Sequence, residues 1–163
     1  MDLLDAVTPP QRWGAKEREL ADLRICKGLT RSEVGILSRN LDQVDLEAGT
    51  VLTVESERNE AFWIVGEGIL TVSVARLLLR HLDRGDFVGG HSFVHGGRSA
   101  ATVMAWTAAR MFIASRQQFM ALCSVDLLRL RLQALAGARF YEDFRLLTGL
   151  GPNGLSWLAR NCA

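Results

Sequence analysis

The groups in this chain that could do chemistry are few, and most stand between Gly89 and Ser99. His91 and His95 are four apart, the spacing that sets two imidazoles on one helix face, and with His81 they would begin a zinc-type ligand set. No carboxylate or cysteine beside them completes it. The histidines therefore read as packed or solvated, and no metal site is expected. If protonated, His91 or His95 would offer positive charge to an anion, more strongly at lower pH. Gly89-Gly90 would let a ligand approach the backbone closely, or simply shape a turn, and the turn is favoured for Gly90. Ser92 and Ser99 carry hydroxyls that either donate to an anion or cap a short helix, and capping is the commoner role. Arg98, with Gly96 and Gly97 before it, would reach an anion if the loop slipped by one residue. Cys123 with a histidine is the one nucleophile pair to weigh, but it sits in an apolar helical pattern with Phe119 and Leu122, so core packing is expected and an enzyme is not. Cys26, Cys123 and Cys162 are odd in number and lack CxxC spacing, which excludes a disulfide framework and a structural zinc or iron-sulfur site.

These groups need a frame, and the chain is the right size for one domain. It has 163 residues, 48% hydrophobic and 23% charged, with 19 basic against 18 acidic residues and a formal charge of +1. Such a balance supplies no field that draws the chain to nucleic acid or anionic lipid. Apolar runs such as Ala61 to Val65 and Leu77 to Leu79 are far shorter than the roughly 20 residues of a membrane span. The opening Met-Asp-Leu-Leu-Asp lacks the basic start and apolar stretch of a secretory signal, so cytoplasmic residence is expected.

Three segments follow from the patterning. Residues 1–44 form an N-terminal arm and helices: Pro9-Pro10 ends the arm, Gln11 to Cys26 reads as a helix with Trp13, Leu20 and Leu23 on its apolar side, and Thr30-Arg31-Ser32-Glu33 has the capping-box form ahead of Val34, Ile36, Leu37 and Leu41. Residues 45–114 break into short β-like runs: Thr50 to Glu55, Ala61 to Val65, Ile69 to Ala75, Leu77 to Leu82, Ala101 to Thr107 and Arg110 to Ala114. Turn signals such as Gly66-Glu67-Gly68 and Asp83-Arg84-Gly85-Asp86 separate them, which predicts a small barrel or jelly roll. Residues 115–163 return to helix. Ser115-Arg116-Gln117-Gln118 is a second capping box, Phe119 and Leu122 face inward, and Leu128, Leu132 and Leu135 repeat at helical spacing, as do Phe140, Phe144 and Leu147.

Within this order of helices, roll and helices, a longer residue pattern resembles the cyclic-nucleotide-binding domain of Crp/Fnr regulators and kinase regulatory subunits, over roughly Ile25 to Leu135. The resemblance rests on Ala48-Gly49-Thr50-Val51-Leu52, Glu55-Ser56-Glu57, Glu60, Phe62-Trp63-Ile64-Val65 and Gly68. It continues through Leu82, Gly85-Asp86-Phe87-Val88-Gly89, Ala100-Ala101-Thr102-Val103, Ala105, Thr107 and Arg116 to Phe119. It implies a mainly β fold, a jelly roll with N-terminal and C-terminal helices, and a phosphate-binding cassette within 85–102. In such a cassette, helix N-terminal amides and an arginine hold the cyclic phosphate while a glutamate accepts from the ribose. Counted from Gly89, the glutamate position holds Gly90, followed by His91, Ser92 and Phe93, and the arginine position holds Ser99, with Arg98 one place early. Both charged contacts are missing. Loss of one charge-assisted bond to phosphate costs about 1.5 to 3 kcal/mol, roughly ten- to hundredfold in affinity, which argues against ordinary cyclic AMP binding.

The resemblance therefore implies a non-enzymatic regulatory or sensory protein with no required cofactor, in which a cyclic nucleotide, another small anionic ligand or a protein partner biases the helices after Ser115. The candidate ligand set is Gly89, Gly90, His91, Ser92, Arg98, Ser99 and Ala100. Leu128, Leu132, Leu135, Phe140 and Phe144 form the candidate stripe for a partner or a homodimer, or else pack on their own roll. Two alternatives stay open: a degenerate domain that serves as an interaction scaffold without nucleotide, and a different ligand such as a cyclic dinucleotide or a histidine-held haem. Beyond Leu135 only 28 residues remain, without a recognition helix bearing a basic face, so direct DNA binding is not expected.

Overall fold

The computed structural model describes residues 13–59, 61–89 and 98–130. Helix α1 spans Ala15–Asp22 and α2 spans Arg31–Asn40. The capping box of α2 forms as the sequence predicts: Glu33 N–H donates to the Thr30 hydroxyl at 3.2 Å, and Thr30 N–H donates to the Glu33 carboxylate at 2.7 Å. Lys16 of α1 donates its ammonium to the Ser38 and Leu41 carbonyls, covering the bare C-terminal end of α2. The expected single helix to Cys26 instead breaks at Leu23, which turns extended and is followed by a 3-10 turn at Arg24–Cys26. Leu23, Ile25 and Cys26 are all buried. An α-helix turns 100° per residue and would drive Leu23 and Ile25 to opposite sides, so the chain leaves the helix to bury both.

Among the described residues eight strands follow: β1 Asp42–Leu46, β2 Val51–Thr53, β3 Ala61–Glu67, β4 Leu70–Val74, β5 Leu77–Leu82, β6 Phe87–Val88, β7 Thr102–Ala105 and β8 Ala109–Ser115. They make two antiparallel four-stranded sheets, β1-β8-β3-β6 and β2-β7-β4-β5. The roll thus begins at Asp42, ahead of the expected Asp45, because β1 lies along β8 with Asp42 opposite Ile113. Its two turned-in residues, Val44 and Leu46, are enough to seat an edge strand whose other side chains are Asp42, Gln43 and Asp45.

Sheet one is apolar on both faces. Phe62 and Ile64 of β3, with Phe112 and Ala114 of β8, face a core shared with the helices. Trp63, Val65 and Met111 face a second core between the two sheets. Alternation along an extended strand makes this sharing possible. On the helix side, helix α3 at Arg116–Leu122 is capped by Ser115, whose hydroxyl accepts from Gln118 N–H at 3.2 Å. Its Phe119 packs in a tilted arrangement against Phe62, with ring centroids 4.8 Å apart. Residues 126–130 are again helical, and Leu128 is buried in this same core. The first residue of the candidate interaction stripe is thus packed within its own chain. Leu132, Leu135, Phe140 and Phe144 lie outside the described residues. Among the described residues, no helix is long and apolar enough to cross a membrane.

Candidate functional site

The cassette begins with a turn. Asp86 accepts from Asp83 N–H at 2.9 Å and meets Arg24 at 3.2 Å, which ties the turn to the 3-10 segment. Short strand β6 pairs Phe87 with Ile64 and Val88 with Trp63, and delivers the chain to Gly89. Gly89 has φ +92°, and a Cβ there would stand 2.7 Å from the Ala61 carbonyl oxygen and 2.8 Å from the Asn59 amide nitrogen. Only glycine fits, for conformation and for space. Gly90, His91 and Ser92 lie outside the described residues, as does His95.

The chain returns at Arg98, and here its groups are held by neighbouring turns. Arg98 is exposed, forms a β-bridge to Arg58, and donates its guanidinium to the Ser56 carbonyl at 2.9 Å. In the structure its guanidinium is thus engaged by the Ser56 turn. Ser56, at φ +70°, is held in its left-handed turn by that bond and by its own N–H donating to the Ser99 carbonyl at 2.8 Å. Ser99 is only 9% exposed, and its hydroxyl donates to the Ala101 carbonyl at 2.9 Å, which also receives Thr53 Oγ1 at 3.1 Å. Through this bond Ser99 closes the cassette exit on its own backbone. Ala100 is exposed.

His81 is exposed on β5 opposite Thr71, on the face away from the roll interior, and no group of three metal-ligating side chains occurs among the described residues. Cys123 is half-buried against the helix-side core. Burial pushes its thiol pKa up, with Arg129 pulling partly the other way, which disfavours a thiolate nucleophile.

Residues 43–126 match the family described as cyclic nucleotide-binding domain. The chain belongs to that family. Among curated proteins, none is similar enough in sequence to count as a relative. Solved structures share the fold of this cyclic nucleotide-binding domain. PKAR CBD2 bound to Sp-2Cl-cAMPS aligns at TM-score 0.70 and 19% identity, covering 83% of this chain and 92% of that one. The Thermus thermophilus catabolite activator protein aligns at TM-score 0.67 and 20% identity, over 77% of this chain and 62% of that one. The regulatory subunit of a cAMP-independent protein kinase A from Trypanosoma brucei aligns at TM-score 0.65 and 23% identity, over 77% and 47%. At such identities the likeness speaks for the fold alone.

What the sequence reading of this cyclic nucleotide-binding domain missed is a pair of buried nitrogens on the inner faces of the roll. Trp63 packs in the core between the sheets, and its indole Nε1 is buried without a hydrogen-bond partner. Arg80 stands opposite Val72 on β5 and so shares a face with that core, its Nε also buried. The signal was alternation along β5, which the run Leu77-Leu78-Leu79 conceals.

Proposed function

We propose that this cyclic nucleotide-binding domain is a non-enzymatic regulatory module that takes a small anionic ligand in its roll and lacks the cassette contacts of ordinary cyclic AMP binding. The observation that carries this reading is the state of the cassette exit. Ser99 stands at the arginine position and is bonded to its own chain, while the neighbouring guanidinium of Arg98 is bonded outward to Ser56. Coupling to the helices has a physical route, since β3 and β8 present alternate residues to the roll core and to the core that holds Phe119, Leu122 and Leu128. A ligand that moved Trp63 would press on the strand that also seats Phe62. A homodimer or protein partner on the later C-terminal helices belongs to the same proposal.

The test is calorimetric titration with cyclic AMP and cyclic GMP at pH 6 and pH 8, with the melting temperature followed alongside. Saturable binding and a Tm that climbs with ligand concentration support the reading. Stronger binding at pH 6 assigns charge to His91 or His95. No heat and no Tm shift at millimolar nucleotide removes cyclic nucleotides as ligands. A scaffold is then favoured by Leu77 and Leu78, exposed by 51% and 57% at the β4–β5 hairpin.

A further inference from the structure

Sheet two is built in rows. Hydrogen-bonded register places Val103 of β7, Val72 of β4 and Arg80 of β5 side by side, and the next row is Ala105, Leu70 and Leu82. Side chains directly opposite one another in a sheet share a face. Five of these six are buried apolar residues of the interior, and the sixth is a guanidinium. The strand does not turn Arg80 outward. His81, the next residue, takes the outer face, and a register shift between Val72 and Ser73 brings Arg80 inward despite the three leucines before it. Bringing a guanidinium's Nε out of water is costly unless an anion or acceptor meets it, and part of that cost is offset by the contact Arg80 makes within the chain.

The wall opposite carries a second misfit. Trp63 on β3, paired to Val88 of β6, belongs to the same inter-sheet core, and its Nε1–H meets no acceptor. A buried N–H left unpaired costs about 1 to 3 kcal/mol. Indole is a donor only, so whatever satisfies it must accept. Thus the two walls of one interior contribute a cation and an unmet donor amid valines. Arg80 is engaged within the chain, and with five N–H groups a guanidinium can keep such a contact and still hold an anion.

We propose that the anion contact of this domain lies on β5 rather than in the cassette: Arg80 holds the phosphate of a small ligand, Trp63 Nε1–H donates to an acceptor on it, and Val72, Val88 and Val103 cover its apolar part. The proposal rests on the reading of the roll as a small-anion site and replaces Arg98 and Ser99 as the residues that confer affinity. It also commits to a ligand class, a phosphate ester with an apolar or aromatic moiety.

The experiment titrates the full chain and its Arg80→Gln, Arg80→Lys and Arg98→Gln variants with cyclic AMP, cyclic GMP and inorganic pyrophosphate, by calorimetry and by Tm shift. Arg80→Lys keeps the charge without the planar fork and guards against a glutamine variant that fails to fold. The expected result is binding weakened at least tenfold by Arg80→Gln, less by Arg80→Lys, and within twofold of the parent for Arg98→Gln. Cyclic nucleotide binding that Arg80→Lys leaves untouched, with Arg80→Gln folded and equally tight, overturns the proposal and leaves the small-anion reading standing. Pyrophosphate that stabilises the parent but not Arg80→Gln, with no response to either cyclic nucleotide, supports Arg80 and removes the cyclic-nucleotide reading. No response of the parent to any of the three overturns both.

Discussion

Gly68 leaves no room for even a methyl group. A Cβ there would lie 2.6 Å from the Ala108 carbonyl oxygen, and the backbone stands at φ +99°. Gly68→Ala is expected to lose roughly 2 to 3 kcal/mol, read as a Tm lower by about 5 to 10 °C. A Tm within a degree of the parent contradicts the packing described. Cys123 makes a second prediction through its raised pKa. In the unfolded chain the thiol ionises at its ordinary value, and in the folded chain only at higher pH. The stability this group contributes is therefore complete below the ordinary thiol pKa and is lost as pH rises through the raised one. Urea denaturation at pH 7.5 and pH 10 is expected to show a smaller alkaline loss for Cys123→Ser than for the parent. At this scale the sequence was legible where a residue's neighbours in the chain decide its role. Cys123 among Phe119 and Leu122 reads correctly as core. The partners of Arg98 and Ser99 were not legible, because the groups that engage them, Ser56 and Ala101, are set by the folded turn and not by type or spacing.

Both capping boxes were visible as residue quartets, and both form. Ser115→Ala removes the acceptor for Gln118 N–H and is expected to lower stability by about 1 kcal/mol in equilibrium denaturation, as is Thr30→Ala. The two caps lie on different helices, so the losses should be close to additive, with some coupling because α2 packs on α3. Strands with clear alternation were legible as well, whereas β1 and β6 were not: one is mostly polar and the other is two residues long. Helix α1 ends early for a reason of tertiary origin, the burial of Leu23, Ile25 and Cys26 together. Its outer face is tied to sheet one by Arg110, which reaches Glu19 at 3.7 Å, Asp45 at 3.6 Å and Glu67 at 3.5 Å. With these carboxylates partly or largely in solvent, Arg110→Ala is expected to cost no more than about 1 kcal/mol.

Across the whole molecule, sheet one is a wall between two cores and belongs to both. No boundary separates a helical unit from the roll, since removing the helices would bare Phe62, Ile64 and Phe112. Unfolding is therefore expected to be a single transition. Far-ultraviolet dichroism and tryptophan fluorescence should give coincident denaturant midpoints, and two separated midpoints would show that the cores melt independently. Phe62→Ala, at 1% exposure and between Phe87 and Phe119, should lower stability by roughly 3 to 5 kcal/mol without splitting that transition.

The pairing of Asp42 with Ile113 sets the tempo at which this architecture can be reached. The inner strands of sheet one close only when β8 meets both β1 and β3, with nearly all of the roll looped out between the first partner and the last. Loop-closure entropy must be met before those contacts repay it, so folding should take on the order of milliseconds to seconds, as in other proteins dominated by distant pairings. On a ribosome, the central core has no β8 to close on until Ser115 has been added. Until then β3 lacks the neighbour that completes the cover of its two apolar faces, and that is the interval in which this chain is most exposed to aggregation.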